Sequence, residues 1–157
     1  MKTSRWVYVS CVLLVLSLVS PSFLLAEKLC CSSNRLDGSL KNRLDRAATD
    51  LTSDGFEPMD TYLGMLSDGA ANIVTLQLTR GKDYGFVAVC ESCSGLDLVL
   101  YDEENQSIGS NVGTGNHAAV NVTPTRTGKY KLVLRMTKCR QDDSCYHKIG
   151  VFGRSHC

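Results

Sequence analysis

The sequence predicts an all-β protein, an antiparallel β-sandwich preceded by one N-terminal amphipathic helix. Three observations carry this expectation. From residue 62 onward, apolar residues alternate with polar ones in seven or eight short runs. Turn signals rich in Gly, Asp and Pro separate those runs at short intervals. No long helical pattern comes between them, which argues against a parallel βαβ winding.

The N-terminus sets the compartment. Lys2 and Arg5 precede an apolar run from Trp6 to Val19, interrupted only by Ser10, Cys11 and Ser17. Pro21 and Ser22 break the run, and Ala26 supplies a small residue for cleavage. This is the layout of a secretory signal peptide over residues 1–26, with cleavage after Ala26 preferred to cleavage after Ser22. The apolar run is shorter than the roughly 20 residues a membrane span requires. The expected mature protein is therefore secreted or periplasmic, with no membrane span. Residues 27–57 are expected to form a tether and helix, and 58–157 the sandwich domain, a length that suits one core.

Removing Lys2 and Arg5 from the 17 basic residues leaves 15 against 16 acidic ones. A balance so near neutrality gives no electrostatic case for nucleic acid or an anionic membrane as partner. Eight cysteines in an exported chain argue for disulfides. Cys11 leaves with the signal, and the seven that remain are Cys30, Cys31, Cys90, Cys93, Cys139, Cys145 and Cys157. An odd number leaves one cysteine free or joined to another molecule. Cys157 and one of Cys30 and Cys31 are the candidates for a disulfide-linked dimer.

Leu40, Leu44, Ala47 and Leu51 recur at spacings of four, three and four, which is one face of a helix. Asp37 or Ser39 could cap its start, and Gly55 lies just past its end. The stripe lacks aromatics and the polar face mixes charges, so the helix is expected to lie on the domain rather than on a membrane. Strands then follow at Tyr62–Leu66, Ile73–Thr79, Tyr84–Cys90, Leu96–Tyr101, Ser107–Ser110, Ala118–Val122, Lys129–Met136 and Tyr146–Phe152.

Cys90-Glu91-Ser92-Cys93 is a CxxC, a spacing that also serves redox pairs and halves of zinc sites. A redox CxxC opens a helix, whereas strands flank this one, and Cys139 and Cys145 do not supply the second short pair a zinc site needs. Disulfides are the expected state of all four. Two connectivities fit, either local pairs or bridges crossing from Cys90 and Cys93 to Cys139 and Cys145. The local pairs are preferred.

Three segments in order carry a resemblance: VTLQLTRGKDYGFVAVC at 74–90, GLDLVLYDEENQSIGS at 95–110 and VTPTRTGKYKLVLRM at 122–136. Together they resemble the bacterial pre-peptidase C-terminal domain family. Gly81, Tyr84 and Phe86 match its G-x-x-Y-x-F strand. Leu96, Asp97, Leu98, Leu100, Tyr101 and Asp102 match D-L-D-L-x-L-Y-D, and Thr127, Gly128, Tyr130, Leu132 and Val133 fit T-G-x-Y-x-L-x-V approximately. The resemblance covers about residues 60 to 152. It implies a jelly-roll-like sandwich that acts as an accessory or binding module rather than a catalyst. Some related modules bind calcium or matrix proteins.

Asp102, Glu103 and Glu104, with Asp97 upstream, could offer oxygens to calcium, although they lack the ligand order of a known loop. A solvated turn is the plainer reading. No nucleophile-elbow, zincin or cysteine–histidine signature is legible. Tyr62, Tyr84, Tyr101, Tyr130 and Tyr146 are expected at core edges rather than on a sugar platform. The expected function is a non-catalytic binding or accessory module for a protein or carbohydrate ligand, with no cofactor required. The alternatives are a disulfide-linked structural envelope protein and a thiol oxidoreductase using Cys90 and Cys93.

Overall fold

The computed structural model describes residues 36–140 and 143–155. The expected signal peptide, the tether before residue 36, and Cys11, Cys30, Cys31 and Cys157 lie outside them. The described strands all belong to one compact unit, Gly38–Cys157.

Helix α1 runs over 36–47 and continues, after an irregular residue at Ala48, into α2, Thr49–Ser53. The Ala48 and Thr52 amides still donate four residues back, to Leu44 and Ala48, so the two pieces read as one helix. Ser39 does not cap it, because the helix is already under way at residue 36, and its hydroxyl is turned toward Glu91 at 3.4 Å. The expected stop is where the sequence puts it. Gly55 takes φ +83°, its amide donates to Thr52, and the Phe56 amide donates to Leu51. That pair of bonds is a Schellman cap, which favours glycine at the left-handed position.

Among the described residues eight strands follow: β1 Glu57–Ser67, β2 Ala71–Leu78, β3 Asp83–Cys90, β4 Cys93–Tyr101, β5 Ser107–Asn111, β6 His117–Val122, β7 Gly128–Cys139 and β8 Ser144–Arg154. They form two four-stranded sheets, ordered β1-β8-β3-β6 and β2-β7-β4-β5, with antiparallel pairing throughout. That order is the jelly roll that the resemblance implies. Among the described residues, no helix is long and apolar enough to cross a membrane.

The alternation read from the sequence sets the facing. Leu96, Leu98 and Leu100 of β4 and Leu132, Leu134 and Met136 of β7 point inward, against Phe86, Ala88, Ile149 and Val151 of the other sheet. Leu98 and Leu100 are fully buried. In β3 every residue from Tyr84 to Cys90 is buried, so this strand is covered on both faces. The helix supplies the outer cover. A Cβ on Gly85 would come within 2.7 Å of Leu51, and one on Gly150 within 3.0 Å of Leu44. Glycine at these two strand positions lets the helix approach the sheet. Arg154 anchors the end of α2, with its guanidinium on the Asp54 carbonyl at 2.8 Å, on Asp83 at 2.8 Å and 4.8 Å above the Phe56 ring.

Candidate functional site

The two rims of the sandwich hold the residues that the sequence singles out. At one rim, β3 ends at Cys90 and β4 begins at Cys93, joined by a two-residue turn in which Ser92 takes φ +58°. Cys90 is bonded to Cys93 and Cys139 to Cys145, with Cα separations of 5.9 and 5.7 Å. The local connectivity is therefore the observed one. What these bridges span is not evident from their spacing. Cys90 and Cys145 belong to one sheet and Cys93 and Cys139 to the other, so each bridge ties sheet to sheet. The two loops are laced together. The Ser92 carbonyl accepts the Arg140 amide at 2.7 Å, and the Glu91 amide donates to Tyr146 at 2.9 Å. Cys90 and Cys93 are 0% and 2% exposed. Reactive cysteines occupy partly exposed, electropositive positions, and these do not.

His147 lies between the sheets next to this rim, 1% exposed. It is registered with Gly64 on one side and Cys90 on the other. A Cβ on Gly64 would sit 2.7 Å from the imidazole, so glycine there makes room for the ring. Nε2 is 3.4 Å from the Asn72 amide nitrogen, and among the described residues Nδ1 has no partner. Burial pushes the imidazole pKa below its ordinary value. In the folded state the ring therefore resists protonation, while in the unfolded chain it takes a proton near pH 6.5. The unfolded state then binds more protons, and stability falls as pH drops below about 6.5, by up to about 1.4 kcal/mol per pH unit. The melting temperature of the wild type should fall more between pH 7.5 and 5 than that of His147→Gln. Parallel pH profiles would refute this.

At the opposite rim, β4 runs into the acidic turn. Asp102 Oδ1 accepts the Glu104 and Gln106 amides at 3.0 and 2.8 Å, and Asn105 takes φ +59°. Glu103 Oε1 accepts the Lys129 amide at 2.9 Å, in space left by Gly128. Glu104 pairs with Arg126 at 2.9 Å, and Lys131 Nζ donates to Asn105 at 2.8 Å. Asp97 stands five residues up the strand, about 17 Å away along it, where it accepts the Gly113 amide at 3.2 Å. Among the described residues, no three His, Cys, Asp or Glu side chains converge as a metal site. A groove of about 520 Å³ opens beside the turn, between Glu104, Ile108, Asn121, Thr125, Arg126 and Tyr130. Among the tyrosines of the described residues, Tyr84 and Tyr130 are buried, Tyr62 packs against the core and Tyr101 is half-buried, while Tyr146 is exposed.

Topology and site together define an eight-stranded jelly-roll sandwich stapled across its sheets at one rim. Its fold is similar to that of the pre-peptidase C-terminal domain. The solved domain from the collagenase of Bacillus anthracis is 22% identical with a TM-score of 0.47, over 59% of this chain and 87% of that one. The periplasmic inhibitor of g-type lysozyme from Aeromonas hydrophila is 16% identical, TM-score 0.46, over 64% and 90%. A disulfide-linked pilus protein of Bacillus endospore appendages is 12% identical, TM-score 0.37, over 62% and 88%. No family model matches the chain, and no curated protein does.

Proposed function

We propose that this chain is a secreted or periplasmic, non-catalytic binding module whose protein or carbohydrate ligand sits in the groove beside the acidic turn. The observation that carries the reading is that the groove is open yet prebuilt. Its loops are held by the Glu103–Lys129, Glu104–Arg126 and Asn105–Lys131 contacts on a closed core. A site held in its bound shape loses little freedom on binding. Two disulfides suit an oxidising compartment. The test is an array of glycans and purified extracellular proteins probed with the mature protein and with Thr125→Trp, which plugs the groove from an exposed loop. The variant should lose at least tenfold in affinity for any captured ligand at an unchanged melting temperature. Equal binding by the plugged variant, or turnover of a substrate by the wild type, would overturn the reading.

A covalent structural role is the second reading. Cys90, Cys93, Cys139 and Cys145 are consumed in two bridges, which leaves Cys30, Cys31 and Cys157 for any bond between molecules. Non-reducing electrophoresis distinguishes the two readings by the presence or absence of a reducible oligomer. The buried CxxC counts against an oxidoreductase.

A further inference from the structure

We infer a second binding site, for a small oxyanion, in the cleft between α1 and the start of β6. The group it fits is a phosphate or sulfate, free or esterified to a compact sugar. A cavity of about 480 Å³ opens there, lined by Arg43, Arg46, Ala47, Val89, Asn116 and His117. Two guanidinium groups and an imidazole border it, and the lining holds no carboxylate. Arg43 and Arg46 are three apart on α1, the spacing that puts side chains on one helix face.

The same helix shows how its other cation is treated. Lys41 is paired with Asp45 at 2.7 Å. Arg46 instead donates Nε–H only to the Asn42 carbonyl, at 3.2 Å, and among the described residues no acidic side chain pairs with Arg43 or Arg46. Like charges at this spacing repel, and a bound anion offsets the repulsion. The protein as a whole is nearly neutral, so a general basic surface does not account for the cluster.

The chemistry fits one ligand class. Guanidinium forks match the paired oxygens of phosphate and sulfate. His117 Nδ1 lies 3.3 Å from Asn116 Oδ1, which leaves the Asn116 amide NH₂ to donate to the ligand. Ala47 and Val89 provide an apolar wall against which the carbon body of an ester can lie. This cleft is at the opposite end of β6 from the groove beside the acidic turn, so the two sites are separable.

Titration calorimetry at low ionic strength tests it, using the oxidised mature protein with inorganic phosphate, inorganic sulfate, glucose 6-phosphate and glucose. The anions should bind and glucose should not. Arg43→Gln combined with Arg46→Gln should lower anion affinity at least tenfold without lowering the melting temperature, and Lys41→Gln should bind as the wild type does. Both source outcomes support the site: tighter binding of glucose 6-phosphate than of phosphate identifies the ester as the ligand form, and equal binding identifies the free anion. The inference is overturned if no anion binds, if the double variant binds like the wild type, or if Lys41→Gln weakens binding as much as the double variant.

Discussion

Leu98→Asp should leave no folded protein. Leu98 is fully buried in the middle of β4, with Leu134 beside it in register on β7. A carboxylate there would have no partner, and neutralising it would still bury a polar group in a hydrocarbon core. The expected loss is about 5 kcal/mol or more, comparable with the whole stability of a domain this size. Circular dichroism and thermal melting of the purified variant measure it. A soluble variant that melts cooperatively near the wild-type temperature would show that this face of β4 is turned to water.

Gly150→Val should destabilise by about 2 kcal/mol, the usual scale for overpacking. Strand propensity alone would give the opposite sign, because valine suits a strand and glycine does not. The clash decides. A Cβ at residue 150 meets Phe152 at 2.7 Å and Leu44 at 3.0 Å. Two ways out exist: Phe152 changes rotamer, or α1 lifts from the sheet. Denaturant unfolding gives the size of the effect, and amide exchange over residues 41–52 gives its place. Faster exchange in the helix is the expected pattern, whereas a more stable variant would mean that the helix does not rest on this strand.

Periodicity accounts for what is legible in the sequence. Alternation determines which leucines face inward on β4 and β7, because a pleated strand leaves only two faces. The helical stripe at Leu40, Leu44 and Leu51 and the stop at Gly55 are equally readable, since both rest on contacts local in sequence. Strand order is not, because the pairing of β1 with β8 joins the two ends of the domain, and no local pattern encodes a partner so distant. The jelly-roll order is available only through the resemblance carried by Gly81–Phe86, Leu96–Asp102 and Thr127–Val133.

The site is legible in part. The CxxC spacing suggests a local bond but not that its two cysteines stand in different sheets. His147 escapes notice because it is a lone histidine in the strand read at Tyr146–Phe152, with no catalytic motif around it. Its signal is present all the same: His147 shares the phase of Ile149 and Val151, which face the core. The arginines of the cleft look in the sequence like an ordinary solvated helix face, and only the docking of that helix brings them near His117.

Both disulfides found among the described residues lie at the same rim, so the sandwich is braced unevenly. The layers are clamped where β3 meets β4 and where β7 meets β8. At the other rim no disulfide among the described residues joins the layers, which are linked there by the backbone turns at 79–82 and 123–127. Local opening of the stack is thus expected to cost more at the cysteine rim than at the acidic one. Adding a reductant would remove that bias and let the stack open from either side.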